Sequence, residues 1–491
     1  MALIRHAFGL TLCALLVQSC AIGPNYQRPP VETPDRYKEV GSPTAPTAQP
    51  TANAQSPAAT QAPSPAPEQW WTLFNDASLN DLESQVQVSN QNLAASEAAY
   101  RQALAVVREQ RANFFPQITV DGGVTKSGGE GRSRSGTTLG TGTTTTTTTT
   151  SGSKIYQAGA SASWEIDLWG RLRRGLENAH ALADASAADL AAAKLSIQGQ
   201  LAIAYLQLRE ADAEQRLLAD TVSAYGRSFE IAQNRYNAGA AAKTDVLQAR
   251  TQLANAQDQL AALLLSRAQL EHAIAALVGK SASSFSLEGR DQWLTAVPDI
   301  PSGIPSTLLQ RRPDIAAAER RVAAINATIG VEEAAYFPAL TLTGTYDFIA
   351  TSASSLFKPA NASHSVGGSI SEALFNGGAT RARVSGARAA YDQSAALYRE
   401  SVLTAFKDVE DQLASSRILL QQYDFRREAS GAADETEQLT MNQYRAGTVS
   451  YTNVVVAQTA ALSARRALAS ISLSRQTTAV SLITALGGRW D

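Results

Sequence analysis

Apolar residues recur every seven positions in parts of the chain that contain no proline. In residues 242–278, two such series lie three positions apart and form a seam that only Arg267 interrupts. Its members are Val246, Leu253, Leu260, Arg267 and Ile274, with Ala249, Ala256, Leu263, Leu270 and Leu277. This spacing is typical of helices that pack as coiled coils. We therefore predict long coiled-coil helices, of which residues 171–235 would span about 100 Å at 1.5 Å per residue.

Four shorter segments alternate between apolar and polar residues, at about 117–126, 155–165, 339–348 and 365–374. Such alternation over about ten residues is typical of strands in outer-membrane barrels, where one face meets lipid. Four strands cannot close a barrel, and an open strand edge is not tolerated in lipid. Several chains must therefore pool their strands. Two would give a filled cylinder, whereas three would give twelve strands around a water-filled pore.

These two patterns predict a mainly α protein with a β-barrel part. The expected assembly is a trimeric tube, with four strands per chain in a shared 12-stranded outer-membrane barrel. Long coiled-coil helices would form an α-barrel in the periplasm.

The body of the chain consists of two copies of one structural repeat. Residues 234–239 match residues 442–447 at an offset of 208, and the Phe-Pro pair at 115–116 matches the one at 337–338. We predict a first repeat at 70–279 and a second at 313–488, joined by an equatorial linker at 280–312. Each would contain a helix, two strands, a long helix, a tip turn and a return helix, and the first helix of the first repeat is expected over residues 79–113.

The N-terminus has the features of a lipoprotein signal, predicted over residues 1–19. An apolar run follows Arg5 and ends in Leu16-Val17-Gln18-Ser19-Cys20, which resembles a bacterial lipobox with an unusual Gln18. The prediction makes Cys20 the lipidated first residue of the mature protein. An incidental cysteine beside an ordinary cleavage site is the alternative. Residues 20–69 are then a lipid-anchored tether, rich in proline and alanine.

Charge and chemistry exclude other classes of protein. The chain has 42 Lys+Arg against 44 Asp+Glu, and this near balance argues against nucleic-acid binding. The mature histidines His180, His272 and His364 share no motif, and the sequence contains no phosphate-binding loop or nucleophile elbow. We predict a protein that is not an enzyme and has no metal or cofactor beyond the lipid on Cys20.

Several motifs together resemble the TolC-like outer-membrane efflux family, in its lipoprotein (NodT-like) branch that serves resistance-nodulation-division pumps. They are Gly23-Pro24-Asn25-Tyr26-Gln27-Arg28-Pro29, residues 164–171, residues 308–315 and Tyr444-Arg445-Ala446-Gly447. The resemblance implies a homotrimer with a mixed equatorial collar, anchored in the outer membrane of a Gram-negative bacterium. It also implies a periplasmic adaptor and an inner-membrane pump as partners. The function implied is a passive exit duct for drugs or other small toxic compounds.

The resemblance also assigns roles at the periplasmic tip. A closed-state latch would pair Asp245 with Tyr444, although Val449 replaces a family arginine. The tip turns that would contact the adaptor contain Tyr236, Asn237, Gly239, Arg445, Gly447 and Thr448. The tip constriction would involve Thr452, Asn453 and Val456, and its acidic character is in doubt because family members often carry Asp at the last two positions.

Two other functions stay open at this point. The outer-membrane exit of a type I protein secretion system shares the architecture, and the lipobox favours efflux over it only modestly. A periplasmic coiled-coil lipoprotein with a structural role is the alternative of a different class, and the four alternating segments argue against it. The sequence does not identify the exported substrate.

Overall fold

The computed structural model describes residues 21–39, 69–127, 153–290, 292–300 and 311–488. Cys20, the charge-free part of the tether and the Thr143–Thr150 run lie outside the described residues. The described part is mainly helical and contains one four-stranded sheet, as the sequence predicts. Its helices are α1 (Ala77–Ser89), α2 (Gln91–Ala112), α3 (Arg171–Asn237), α4 (Lys243–Leu277), α5 (Pro313–Ala334), α6 (Ala379–Arg445) and α7 (Tyr451–Ala485). Its strands are β1 (Gln117–Ser127), β2 (Ser153–Ile166), β3 (Ala339–Ala350) and β4 (Ala362–Ser371).

The largest differences from the expected bounds occur in two helices and one strand. The helical approach expected over residues 79–113 is broken at Asn90, whose extended backbone ends α1 and whose side chain accepts a hydrogen bond from Leu93 N–H at 3.0 Å. The asparagine thus caps α2. Strand β4 begins and ends three residues earlier than expected, because pairing with β3 starts at Phe348↔Ala362 and finishes at Ala339↔Ser371.

The sheet belongs to a compact unit formed by Met1–Arg28, Gln102–Asp184 and Arg320–Ala395. Its strands are antiparallel in the order β1-β2-β3-β4, so β1 and β4 are edges within this chain. The helical part of the unit packs through small side chains. Its buried positions are mainly alanines, namely Ala179, Ala181, Ala183, Ala323 and Ala324, with Val107.

The second unit comprises Pro29–Arg101, Ala185–Glu319 and Ala396–Asp491. A 3-10 helix at Trp70–Phe74 and helix α1 cover its main core. The core combines large aromatic and aliphatic side chains, including Trp70, Trp71, Leu79, Tyr205, Leu208, Ile274 and Ile483.

The predicted heptad seam of α4 is confirmed, because each of its ten positions is buried or half-buried. Arg267 interrupts the seam to bind Asp212 of α3, with Nε donating to Oδ1 at 2.7 Å. The equivalent arginine of the second repeat, Arg475, instead stacks on Tyr423 at 4.7 Å, since Leu420 replaces the aspartate. By length and composition alone, α4 is the one described helix that could cross a membrane. Its heptad seam favours packing in a coiled coil over a membrane span.

Candidate functional site

Two tight turns end the long helices α3 and α6. Gly239 and Gly447 have φ of +73° and +79°, a conformation that other residues adopt only with strain. In the first turn, Ala240 N–H donates to Arg235 O at 2.8 Å and Gly239 N–H to Tyr236 O at 2.9 Å. The second turn repeats this pattern, so both are Schellman motifs. The remaining predicted turn residues are exposed, namely Tyr236, Asn237, Arg445 and Thr448.

Arg235 joins the two turns, a role that sequence analysis did not identify. Its Nη1 donates to the carbonyl oxygens of Tyr444 at 2.9 Å and Arg445 at 3.3 Å, where α6 ends. Its guanidinium carbon also lies 4.8 Å from the centre of the Tyr444 ring. A cation at a helix C-terminus is favoured by the helix dipole. The available signal was a break in the repeat, because Gln443 stands at the equivalent position.

Tyr444 is almost fully buried, with 2% of its surface exposed, and its ring meets Tyr451 edge-on at 5.2 Å. Its hydroxyl has no hydrogen-bond partner among the described residues. Asp245, in the first turn of α4, is close enough to act on it electrostatically. Burial, and then the negative charge of Asp245, raises the pKa of Tyr444. The structure brings the two latch residues near each other without joining them, so the latch stays a prediction.

The three predicted constriction residues lie in the first two turns of α7 and are exposed. Thr452 Oγ1 donates to Gln248 Oε1 at 3.4 Å, a long contact with the neighbouring helix α4. Asn453 is uncharged, and Val456 is 65% exposed. Together they give this helix face a neutral surface.

The apolar face of the sheet is unusually exposed. Val120 is 82% and Val366 90% exposed, and no described element packs over either. The residues that share this face include Ile118, Val124, Trp164, Leu342, Tyr346 and Ile370. Continuous exposed apolar surface of this kind marks contact with a membrane or a partner.

A specific set of contacts fixes the segment that follows Cys20. The buried Arg174 donates to Ile22 O at 3.1 Å, Gly23 O at 3.0 Å and Asn25 Oδ1 at 3.0 Å. Asn326 Nδ2 adds a bond to Pro24 O at 2.9 Å. The motif that begins at Gly23 is therefore a docked segment of the chain, held by side chains of α3 and α5.

The motifs at residues 164–171 and 308–315 contribute to junctions between elements. Asp167 accepts hydrogen bonds from the first-turn N–H groups of Leu172 and Arg173, at 3.2 and 2.9 Å, and so caps α3. Arg312 binds Asp314 at 2.6 Å and the carbonyl oxygen of Ala485 at 3.0 Å, where α7 ends. Both motifs hold the helices in place.

Comparisons with known proteins identify the family. The model for outer membrane efflux proteins matches residues 82–280 and 304–488, one segment for each repeat. The chain belongs to the outer membrane efflux protein family. The sequence is 30% identical to outer membrane protein OprJ of Pseudomonas aeruginosa over 99% of this chain and 97% of that protein. It is also 28% identical to the toluene efflux pump outer membrane protein TtgC of Pseudomonas putida, over 99% and 96%.

The fold agrees with this assignment. The solved structure of the outer-membrane channel OprN superposes with a TM-score of 0.80 at 29% identity, covering 96% of this chain and all of that one. The predicted family, fold class, outer-membrane location and role as an efflux channel are thereby confirmed. The family consists of channel proteins. The described residues hold no group of three or more His, Cys, Asp or Glu that could bind a metal.

Proposed function

We propose that three copies of this chain form the passive exit duct of a tripartite pump for drugs or other small toxic compounds. The observation that carries the proposal is the sheet, which exposes an apolar face and leaves β1 and β4 unpaired. In lipid each unpaired backbone group costs several kcal/mol, so β4 of one copy must pair with β1 of the next. Three such sheets give twelve strands, wide enough for an aqueous pore.

The assembly is tested with the purified full-length protein. We expect a trimer in detergent that dissociates on heating, and ion conductance in planar bilayers. A stable monomer, or a trimer that never conducts, would contradict the duct and favour a structural coiled-coil lipoprotein.

The partners are a periplasmic adaptor and an inner-membrane resistance-nodulation-division pump. The two tip turns offer the adaptor exposed groups on a rigid support, including Tyr236, Asn237 and Thr448. Capture of the adaptor by the wild-type chain, and its loss after Tyr236→Ala with Asn237→Ala, tests the contact. The variant Gln421→Ala, on an exposed position of α6 away from the turns, serves as control.

The same tips supply the closed-state latch. A buried hydroxyl without a partner costs about 1–3 kcal/mol, so the Tyr444 hydroxyl favours an arrangement of the assembled tube that brings it an acceptor. We assign that acceptor to Asp245. The variant Tyr444→Phe with Asp245→Ala should raise conductance in planar bilayers, and unchanged conductance would contradict the latch. The control Asp258→Ala removes an exposed carboxylate farther along α4.

Deletion of the gene, followed by susceptibility tests with drugs, solvents and metals, separates efflux from protein secretion. Efflux predicts increased sensitivity to one or more small compounds. Loss of a secreted protein with unchanged sensitivity would favour the exit duct of a type I secretion system instead.

A further inference from the structure

Two lysines lie directly opposite each other near the end of the first hairpin. Lys126 of β1 and Lys154 of β2 are register partners, one pair before the last pair of the ladder. Directly opposed residues of an antiparallel pair leave the sheet on the same face with Cβ atoms about 5 Å apart. Both lysines are exposed.

The two lysines share a face with the apolar residues of the sheet. Side chains alternate along a strand, and Lys126 lies two positions after Val124 and eight after Ile118. Eight residues cover about 27 Å of strand, or about 20 Å of height at the usual tilt of barrel strands. The apolar band of such barrels is about 25 Å tall, so the lysines stand at one boundary of it.

That boundary faces the outside of the cell. The long helices join the sheet at its other end, because β1 follows α2 and β2 leads into α3. Since the helices of an outer-membrane channel extend into the periplasm, the hairpin end that carries the lysines meets the outer leaflet.

Within the described strands, no acidic residue offsets the two positive charges on this face. The acidic residues of the described strands, Asp121, Glu165 and Asp347, occupy the alternate positions and therefore leave on the opposite face. Neither lysine has an ion-pair partner among the described residues. Like charges directly opposite each other destabilise a sheet, so the pair favours an external anion.

We propose that Lys126 and Lys154 bind a phosphate group of an anionic glycolipid in the outer leaflet. Two ammonium groups supply up to six donors for one phosphate, and its charge cancels their repulsion. Tyr156, two residues beyond Lys154 on the same face, lies where amphipathic rings meet headgroups. This inference rests on the placement of the sheet in the outer membrane, and it names the lipid that the channel binds there.

The test compares the heat stability of the full-length protein in neutral maltoside micelles, with and without bisphosphorylated lipid A. The double variant Lys126→Gln with Lys154→Gln removes the site. Its matched control is Lys243→Gln with Lys280→Gln, which removes two exposed lysines outside the sheet. We expect lipid A to raise the melting temperature of wild type and control by several degrees, and of the double variant by less than half as much.

Three further outcomes decide the proposal. In micelles without lipid, relief of the repulsion should leave the double variant at least as heat-stable as wild type. An equal gain from lipid A in wild type and double variant would overturn the site. An equal gain from dephosphorylated lipid A or from phosphatidylglycerol would overturn the assignment to a glycolipid phosphate.

Conductance measurements distinguish failure of the lipid site from failure of the proposed duct. The double variant should conduct like wild type in planar bilayers of neutral lipid, since its lysines lie on the lipid face. Absence of conductance in every variant would contradict the duct while the melting experiment still reports on the lipid site.

Discussion

The buried carboxyl of Glu83 should make the protein less stable as pH rises. Glu83 lies in α1 with none of its surface exposed, and neither carboxyl oxygen has a hydrogen-bond partner among the described residues. Burial raises the pKa of Glu83 from its ordinary value of 4.5 to about 9. The folded protein therefore keeps this side chain protonated at neutral pH, whereas the unfolded chain ionises it.

The sign and size of the effect follow from proton linkage. Below pH 4.5 both the folded and the unfolded state bind the proton, so ionisation of Glu83 does not change the free energy of unfolding. Between pH 4.5 and 9 only the folded state binds it, so stability falls by about 1.4 kcal/mol per pH unit. At pH 7 the accumulated cost is about 3 kcal/mol.

Glu83→Gln keeps the shape of the side chain and removes the proton equilibrium. We expect the variant to match wild type near pH 4.5 and to exceed its unfolding free energy by about 3 kcal/mol at pH 7. Chemical denaturation of the trimer at fixed concentration, from pH 4.5 to 8.5, measures the difference. The control Glu97→Gln changes an exposed glutamate of α2 and should leave the pH profile unchanged. Parallel profiles for Glu83→Gln and wild type would refute the reasoning.

Substitutions at three further positions test other contacts. Arg235→Met removes the charged bonds to the end of α6 and should lower stability by about 2 kcal/mol and raise closed-state conductance, whereas Arg235→Lys should recover part of both. Asp212→Asn removes the ion-pair partner of the buried Arg209 and leaves Arg267 with Glu271 alone, so it should cost about 3 kcal/mol in denaturant titrations. An unchanged midpoint would contradict a stabilising role for these ion pairs. Gly23→Ala places a Cβ 2.5 Å from the Cα of Gly330, so the segment that begins at Gly23 must move. We expect this segment to become sensitive to protease. Unchanged resistance to protease would show that the segment accommodates the added methyl group.

Periodicity predicted most of the fold because each period has one physical cause. A heptad seam must be shielded from solvent along one helix face, and the ten seam positions of α4 are buried or half-buried. Apolar-polar alternation requires a sheet with two unlike faces, which the four strands show. The break at Asn90 was missed because Asn90 lies in a run of four polar residues, Ser89 to Asn92, and such a run also occurs on the solvent side of an unbroken helix.

The tip was predicted in part, for a comparable reason. Gly239 and Gly447 were recognisable because a left-handed turn demands glycine, which is a local requirement. Arg235 was not, since its partners Tyr444 and Arg445 are more than 200 residues away in sequence and are bound through backbone carbonyls. Every residue has a backbone carbonyl, so residue types do not reveal which one Arg235 binds. This contact could be found only in the structure.

The groups that a single chain leaves unsatisfied coincide with the places where the duct must be completed by other molecules. The β1 and β4 edges require a neighbouring sheet, the apolar strand face requires lipid, and the Tyr444 hydroxyl requires an acceptor. The strand edges and the hydroxyl would be costly in an isolated monomer, because buried or lipid-exposed polar groups without partners are destabilising. The apolar face would be costly in water. Folding and assembly are therefore coupled, and the denaturation midpoints of wild type and of the Glu83 and Arg235 variants should rise with protein concentration. A concentration-independent midpoint would show instead that each chain is stable before it meets its neighbours.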